Sequence, residues 1–428
     1  MIQESEIGSD LRVLCQTIGE RLAGSAAERK AADYAAARMS NAGLSSVGIQ
    51  KFPCTSLQHA RIEVAEPKNG LWRQIAAQPI VGTPSTPQGA AVEGELVWLT
   101  FPESQHRLRP GSLKGKIAAL FGPMPTTIAA HRSLLAAAPA ALVHIDDRFP
   151  FEWAKSDGSL PYWAKRYGML PTASVPYMDA WRWRRDDVKR LRVRIEMSHR
   201  RTQSVNVVGE LPGKDPGLPA ITFTSHIDTQ PGNAGADDNA GGVASVLALA
   251  RALGGKPCLR TLRFIAFGAE EQLSVGSAAY VRRKKITPAD TGLVLNFDSI
   301  ASQLGHYVLW SVGDPKLSRS AIRALAGGGI DATVCPEVSP YCDSFPFNRV
   351  GIPSVWFRRQ NFPGGKWQHH CDHDTLENIS VPQLAALLEC VAPWARNLAN
   401  RKTWPFSLAV PPAQKTHARR LSRELFGW

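Results

Sequence analysis

Long apolar runs are missing from this sequence, and so are the marks of a secreted protein. No stretch of 18 or more apolar residues occurs among its 428 residues, so no membrane span is predicted. The first ten residues, MIQESEIGSD, are acidic and polar and lack the basic and apolar regions of a secretory signal. The seven cysteines are an odd number scattered over a long chain, which excludes a disulfide scaffold. These absences together predict a cytoplasmic protein with free thiols.

The composition favours a large globular protein with two domains. The chain is longer than one ordinary domain, and 44% hydrophobic residues are enough for a sizeable core. From residue 205 onward, apolar runs typical of buried strands alternate with helix-like runs. This alternation predicts an α/β fold with a mixed, mostly parallel sheet covered by helices. Residues 55–203 differ, because they are rich in proline, glycine and short β-like runs.

The net charge of +13 is concentrated in residues 181–201, WRWRRDDVKRLRVRIEMSHRR. Basic residues interleaved with tryptophan can attract nucleic acid through its phosphates. A charged, solvated protein face gives the same pattern, and charge patterning alone speaks only to non-specific binding. We therefore interpret this stretch as a solvated face and expect no specific nucleic-acid partner.

Acidic residues and histidines follow several strand-like runs directly. The apolar run at 220–224 leads into SHIDTQPGNAGADDNAGG at 225–242, and further runs end near 268 and 298. A loop at 367–375, WQHHCDHDT, adds three histidines. Because the carboxyl ends of parallel strands meet at one edge of a sheet, these side chains are expected to converge. The acids and histidines that this places together are His226, Asp228, Asp237, Asp238, Glu270, Glu271 and Asp298, with His369, His370, Asp372, His373 and Asp374 of the loop.

Six motifs resemble those of a known enzyme family. They read S-H-I-D, G-A-D-D-N-A-G-G, F-G-A-E-E-x-x-x-x-G-S-x-x-Y, N-F-D, C-D-S-F-P-F and H-C-D-H-D-T. In these motifs the sequence resembles the two-zinc exopeptidases of the aminopeptidase S and aminopeptidase Y family, whose relatives include glutamate carboxypeptidase and the transferrin receptor. The likeness covers most of residues 10–400.

This resemblance implies a role for each matching residue and two Zn²⁺ ions per chain. Asp238 would bridge the two ions, and Asp228 would orient the ligand histidine that lies two residues before it. Glu270 would be the general base that takes a proton from a metal-bridging water and so leaves the hydroxide that attacks the peptide. An acidic pocket made by Asp237, Glu270 and Asp298 would accept the free amine of a peptide. The zinc ligands implied are His226, Asp238, Glu271, Asp298 and His370.

Two positions depart from the family pattern. Many of its aminopeptidases have a tyrosine directly before the histidine that binds the second zinc, where the hydroxyl can stabilise an oxyanion. Here that position is His369, and an imidazole N–H can donate the same hydrogen bond. Cys371 follows His370, and a thiolate is a good zinc ligand. The spacing to Asp374 nevertheless aligns His370 with the family ligand, so we interpret Cys371 and His373 as loop residues.

The resemblance also implies a domain organisation. A zinc peptidase catalytic domain would comprise residues 1–54 and 204–400. Residues 55–203 would be an inserted, smaller, β-rich domain of the protease-associated type, which supplies no catalytic residue. Residues 401–428 form a basic, proline-broken C-terminal tail without a readable role.

The sequence therefore predicts a two-zinc aminopeptidase that acts on peptides with a free N-terminus, and three alternatives stay open. A peptidase of the glutamate carboxypeptidase type would use Arg358 or Arg359 to bind a substrate carboxylate. A one-zinc, glutaminyl-cyclase-like acyltransferase needs fewer ligands than are present here. A non-catalytic scaffold like the transferrin receptor would be expected to lack some of them. Side-chain preference and oligomeric state are open.

Overall fold

The computed structural model describes residues 2–100, 107–147, 150–255, 257–361 and 366–427, which form two compact units. The first unit contains the described residues up to Thr55 together with Arg201–Ser422. The second contains the described residues of Ser56–Arg200 and those from Arg423 onward. The chain passes between the units within two long strands, Ser45–Lys68 and Arg190–Leu211.

The first unit is built on a mixed sheet. Its strand order from one side is Ala332–Cys335, His306–Val312, Ser354–Gln360, Thr291–Phe297, Ala220–His226, Leu262–Phe267 and Arg190–Leu211. The central strands run parallel to one another, and the pairs of Arg190–Leu211 with Leu262–Phe267 and of His306–Val312 with Ser354–Gln360 are antiparallel. This architecture confirms the predicted mixed, mostly parallel sheet.

Helices bury the central strands, whose residues are apolar almost throughout, as in parallel sheets covered on both faces. Ala220–His226 and Thr291–Phe297 are buried at every position. Helix Gly241–Leu253, rich in small residues, packs against the sheet and against Val381–Ala399. The helices of this unit are Glu4–Arg12, Ala26–Asn41, Gly241–Leu253, Val275–Arg283, Pro315–Gly327, Phe345–Arg349, Val381–Ala399 and Pro412–Leu421, with π-helical or 3₁₀ turns at Val13–Ile18, Ala236–Ala240 and Leu376–Asn378.

The second unit has its own sheet and its own apolar core. Parallel strands Val92–Thr100, Ile117–Phe121, Ala141–Ile145 and Thr172–Val175 lie side by side. Its core includes Leu96, Ile117, Val143, Trp183 and Val193, all buried. Its other strands are Leu71–Ile75, Gln78–Val81 and Asp157–Gly158, and its helices are Ile128–Ala137, Pro161–Tyr167 and Tyr177–Arg185, with a 3₁₀ turn at Pro87–Gly89 and a π-helical turn, Ser422–Phe426, at its C-terminal part. Its likeness to a protease-associated domain stays a prediction.

The charged stretch at 181–201 lies in the second unit and is largely paired within it. Arg192 contacts Glu93 at 2.5 Å, and Arg194 contacts Glu196 at 3.0 Å. Alternate residues of this stretch, Leu191 and Val193, point into the core. The arginines therefore have acidic neighbours in the fold, which fits the interpretation of a solvated face. Among the described residues, no helix combines the length and the apolar character needed to cross a membrane.

Candidate metal centre and active site

The parallel register of three neighbouring strands brings the functional loops to one edge of the sheet. His226 pairs with Phe267, and Thr224 pairs with Asn296, so all three strands end at the same level. The loops that leave these ends carry Asp228, the pair Glu270–Glu271, and Asp298. The convergence expected from the sequence is therefore realised by the strand pairing itself.

His226, Asp238 and Asp298 form the first cluster, and all three are buried. The Nε2 atom of His226 lies 3.0 Å from Oδ1 of Asp238 and 3.7 Å from Oδ1 of Asp298. Burial alone would lower the pKa of His226, but hydrogen bonds with Asp228, Asp238 and Asp298 raise it well above the usual value. The aspartates that stabilise a proton on this imidazole would equally stabilise a metal cation bound in place of that proton.

Asp228 contacts both the histidine and the loop that carries the two glutamates. The Nδ1 atom of His226 is 3.1 Å from the main-chain carbonyl of Asp228 and 3.7 Å from its Oδ1. The Asp228 carboxylate also accepts the main-chain N–H groups of Glu270, at 2.9 Å, and of Glu271, at 3.1 Å. The residue predicted to orient a ligand thus also fixes the backbone of the next two site residues.

The second cluster lies on the other oxygen of Asp238. Oδ2 of Asp238 is 2.9 Å from Nδ1 of His369 and 3.7 Å from Nε2 of His370. The same nitrogen of His370 is 3.2 Å from Oε2 of Glu271. The two imidazoles stack with centroids 3.5 Å apart, and His370 has a left-handed backbone with φ of +60°. The structure therefore brings both histidines to Asp238, whereas the family resemblance implies a ligand role for His370 alone.

Glu270 is buried and Glu271 is partly buried, and both have raised pKa values. Burial is the largest cause for Glu270, followed by the charges of Asp343, Asp298 and Glu271, against an opposing effect of His226. Burial also raises the pKa of Glu271, with repulsion from Asp238. The Ser274 hydroxyl donates to Oε1 of Glu270 at 3.1 Å. Carboxylates crowded in this way are costly to ionise unless cations are added.

The donor set fits divalent metal ions. Imidazole nitrogens and carboxylate oxygens are the ligands that zinc takes in proteins outside thiolate sites. Within the described residues, Oε1 of Glu271 is buried without a hydrogen-bond partner. Two nearby carboxylates are also held towards the neutral form, since burial raises the pKa of Asp343 to about 8 and that of Asp374 to about 7. Bound cations would satisfy the open oxygen and offset this excess of negative charge.

Asp237 has a different role from the one predicted. Its Oδ2 accepts from Nζ of Lys366 at 2.5 Å, and its Oδ1 accepts the N–H of Ala301 at 2.6 Å. Both members of the ion pair are about 1% exposed. The expectation that Asp237 would receive a substrate amine is therefore wrong, because a lysine far along the chain already occupies its carboxylate.

Lys366 and Asp374 are site residues that sequence reasoning missed as structural partners. Lys366 also donates to the main-chain carbonyl of Ser299 at 2.6 Å. The Asp374 carboxylate accepts the N–H groups of Asp237, at 2.7 Å, and Asp238, at 3.0 Å. Together these contacts fix the 366–374 loop against the loop that carries Asp238. Asp374 occurs in the H-C-D-H-D-T motif, but no sequence pattern points to the partner of Lys366.

Other residues considered from the sequence lie in ordinary packing. The Cys371 thiol donates to the carbonyl of Gln368 at 3.1 Å, and His373 packs on Trp367 with ring centroids 5.5 Å apart. Arg359 is buried, donates to Oε1 of Gln383 at 3.3 Å and lies over the Tyr307 ring. The guanidinium of Arg358 lies over the Trp356 ring, 5.2 Å from its centroid. All seven cysteines are free.

Comparison with known proteins finds similarity to one family of peptidases. Residues 206–395 match the model of peptidase family M28. The chain is 26% identical to aminopeptidase YwaD of Bacillus subtilis over 88% of this chain and 80% of that protein. It is 27% identical to carboxypeptidase Q of Bos taurus over 67% of this chain and 63% of that protein. A shorter match, 34% identical over 151 residues, covers 34% of leupeptin-inactivating enzyme 1 of Streptomyces exfoliatus.

Solved structures share the fold over nearly the whole chain. A peptidase M28 precursor from Shewanella amazonensis superposes with a TM-score of 0.78 at 20% identity, covering 95% of this chain and 96% of that one. A zinc aminopeptidase from Bacillus subtilis superposes with a TM-score of 0.73 at 21% identity, covering 97% and 99%. Residues 206–395 are therefore similar to peptidase family M28, and the chain shares the fold of these solved structures.

Proposed function

We propose that this chain is a zinc-dependent aminopeptidase with two metal ions per active site. The observation that carries the proposal is the double use of Asp238, whose Oδ1 faces His226 and whose Oδ2 faces His369 and His370. Asp298 and Glu271 complete the two halves with one carboxylate each. The similarity of residues 206–395 to peptidase family M28 and the fold shared with a zinc aminopeptidase support the choice of metal.

The proposed ligands are His226 and Asp298 for one ion, Glu271 and His370 for the other, and Asp238 for both. Two zinc ions bound there would polarise the scissile carbonyl and lower the pKa of the attacking water. The protein would supply the proton transfer, because Glu270 is buried at the rim of both clusters with a pKa raised by that burial. Its carboxylate would take a proton from the attacking water and deliver it to the leaving amine.

His369 is proposed to stabilise the negative charge that develops on the carbonyl oxygen. The His369 ring stacks on His370, and an imidazole N–H group can donate a hydrogen bond to the carbonyl oxygen. Asp228 is proposed to act through its contacts, because it orients His226 and holds the main-chain N–H groups of Glu270 and Glu271. Both His369 and Asp228 lie at the edge of the sheet where the reaction would take place.

The proposed substrates are peptides with a free N-terminus. Glu270 and Asp298 are buried acids beside the clusters, and an ammonium group would reduce their mutual repulsion. The test is a panel of peptides offered with free or acetylated amines, with metal content measured on the same preparation. We expect two ions per chain and cleavage of the free-amine peptides only.

One ion per chain with full activity would contradict the two-metal site and favour the cyclase-like alternative. A fully loaded protein that cleaves no peptide would favour the scaffold. The cytoplasmic location inferred from the sequence stays a prediction, which fractionation of cells would test.

A carboxypeptidase is the second candidate, because one of the matching relatives is named carboxypeptidase Q. Such an enzyme needs a cationic group for the substrate carboxylate. Arg359 is already engaged with Gln383 and Tyr307, which makes it a poor candidate for that role. Faster cleavage of acetylated peptides with a free C-terminal glutamate than of free-amine peptides would favour this function.

A further inference from the structure

Three loops carry the ligands that meet at Asp238, and one buried ion pair is bonded to all three. The pair is Asp237 with Lys366, whose side chains are about 1% exposed and meet at 2.5 Å. The loops carry Asp238, Asp298 and His370, which come from separate parts of the chain. Because both side chains of the pair are enclosed, neither can contact a substrate.

The ion pair is bonded twice to the loop that follows Asp298. Oδ1 of Asp237 accepts the N–H of Ala301 at 2.6 Å, and Nζ of Lys366 donates to the carbonyl of Ser299 at 2.6 Å. Ser299 directly follows Asp298 and has a left-handed backbone with φ of +58°. Residues other than glycine adopt this conformation only when their surroundings hold them there. The main chain beside Asp298 is thus held from both members of the pair.

The ion pair is also bonded to the loop of the two histidines. Lys366 itself belongs to that loop and precedes His369 by three residues. Gln368, which directly precedes His369 and is fully buried, directs its Nε2 atom at Oδ2 of Asp237, 3.4 Å away. The same nitrogen donates to Oγ of Ser302 at 2.9 Å. These contacts hold the residues that precede the histidines against the other two loops.

Stability alone does not explain a buried pair of charges in this place. Both charges lose their hydration on burial, and replacing such a pair with well-packed apolar residues is often neutral or stabilising. Charged hydrogen bonds do fix distance and direction, which apolar contacts do not. The ligands of a metal ion must meet at defined distances, and the partners behind them keep them there. A connection that sets the spacing of three ligand loops therefore has a direct chemical use.

We propose that Asp237 and Lys366 are a positioning pair for the metal centre. The pair sets the spacing of the loops that carry Asp238, Asp298 and His370, and it acts through the main chain of those loops. This role rests on the proposed function, because it requires metal ions at these ligands. Residues that hold metal ligands in place typically contribute about 10- to 100-fold to metal affinity.

Lys366→Met in the full chain separates positioning from charge, because the two effects have opposite signs. Loss of a positive charge near the site would by itself leave Zn²⁺ binding as tight as before or tighter. Loss of the connection would weaken binding, since the three loops would no longer be held at their spacing. We expect the Zn²⁺ affinity, measured by competition with a chelator of known affinity, to fall about 10- to 100-fold. Unchanged or tighter binding would overturn the proposal.

The double variant Asp237→Asn with Lys366→Met removes both charges and avoids an unpaired buried carboxylate. Asparagine keeps an acceptor for the N–H of Ala301, but the bond to Ser299 and the link to residue 366 stay lost. We expect the double variant to recover part of the Tm that the single variant loses, while its Zn²⁺ affinity stays low. Should the single variant fail to fold, the double variant carries the test. Full recovery of Zn²⁺ affinity would show that the pair only stabilises the fold.

The matched control is Arg251→Met, which removes a cation from another buried carboxylate of the same unit. Arg251 contacts Oδ2 of Asp10 at 3.0 Å, and the Asp10 side chain is fully buried. Arg251 lies in the last turn of helix Gly241–Leu253, about 15 Å along the helix from the end near Asp238. We expect a lower Tm with unchanged Zn²⁺ affinity and kcat. An equal loss of Zn²⁺ affinity in this control would overturn the proposal, because general destabilisation would then explain both losses.

The affinities also separate this proposal from the proposed function. A protein that binds two Zn²⁺ ions but cleaves no peptide would contradict the peptidase, while the affinities of the variants would still decide the role of the pair. Cleavage of peptides together with an unchanged Zn²⁺ affinity in Lys366→Met would support the peptidase and overturn the positioning pair.

Discussion

The two units of this protein use charged residues in opposite ways. In the second unit, the pairs Arg192–Glu93 and Arg182–Glu152 have side chains that are 34% to 56% exposed. In the first, the His226, Asp238 and Asp298 side chains are at most 7% exposed, and acids outnumber nearby bases. Exposed pairs contribute about 0–1 kcal/mol, while unpaired buried charges cost several kcal/mol. The excess of buried negative charge lowers the stability of the first unit, and the same charge favours the binding of cations.

In a chain with many charged residues, the functional ones need not lie where charge is densest in the sequence. The densest cluster in the sequence, residues 181–201, is in the second unit and is largely paired there. The functional acids are sparse in the sequence, two or fewer at a time, and converge only through the sheet. The usual preferences that link local sequence to structure are violated mainly at functional sites. Substitutions in the two units should therefore differ in effect, from a large loss of catalysis in the first unit to almost none in the second.

Glu270→Gln should have the largest effect, on catalysis alone. Glutamine keeps the shape of the side chain and the bond from Ser274 but cannot take a proton. We expect kcat to fall ~10²–10⁴-fold, which is about 3–5 kcal/mol of barrier at roughly 1.36 kcal/mol per tenfold. The measurement is kcat together with metal content, which should stay at two ions. Near-normal turnover would show that Glu270 is not the base.

Lys366→Met should lower the free energy of unfolding by about as much as Glu270→Gln raises the catalytic barrier. The change leaves the Asp237 carboxylate buried without its cation, and breaking a buried pair typically costs about 3–5 kcal/mol. Thermal unfolding of the full chain by calorimetry would measure the loss. The double variant with Asp237→Asn removes both charges and should recover part of the stability. If the single and double variants unfold at the same temperature, the pair does not hold the loop as described.

His369→Ala and His370→Ala should separate the two histidines that meet at Asp238. We expect His370→Ala to retain about one ion per chain and His369→Ala to retain two. Loss of an oxyanion donor would lower kcat of His369→Ala about 10²–10³-fold. The control is His373→Ala, whose side chain is 41% exposed and outside both clusters. The reverse pattern of metal loss would make His369 the ligand.

Arg192→Ala in the second unit should have the smallest effect. The contact with Glu93 is exposed on both sides, so its loss should change the free energy of unfolding by about 0–1 kcal/mol. Lost packing of the guanidinium on the Trp72 ring, 4.5 Å away, falls in the same range. Neither kcat nor metal content should change. A large loss of activity would break the comparison, because it would give a surface charge of the second unit a role in the reaction.

The parts that could be predicted from the sequence are those in which neighbours along the chain decide the outcome. Apolar runs such as 220–224 fixed the central strands, and their register brought His226 to the same edge as Glu270 and Asp298. The alternation of strands and helices predicted the mostly parallel sheet. The central strands and the mostly parallel sheet were both predicted from residues that are neighbours along the chain.

The parts that escaped prediction depend on contacts between residues far apart in sequence. The family resemblance implied an acidic substrate pocket that included Asp237, but Lys366, 129 positions away, forms an ion pair with this carboxylate. The carboxylate of Glu28, in the first turn of helix Ala26–Asn41, accepts the hydroxyl of Ser204 across 176 positions. Adjacency in sequence does not reveal which buried partner a carboxylate finds, since that depends on the packed fold.

The position of Asp238 between the two clusters has a thermodynamic consequence. One carboxylate cannot serve two ions independently, because an ion on Oδ1 withdraws electron density from Oδ2. If Asp238 bridges two ions as proposed, occupancy of one half would be coupled to affinity in the other, and the coupling free energy would be the same whichever half fills first. A metal titration followed by calorimetry would measure that free energy as the separation between two loading steps. At limiting metal, the coupling determines whether the population consists of half-filled molecules or of a mixture of empty and full ones.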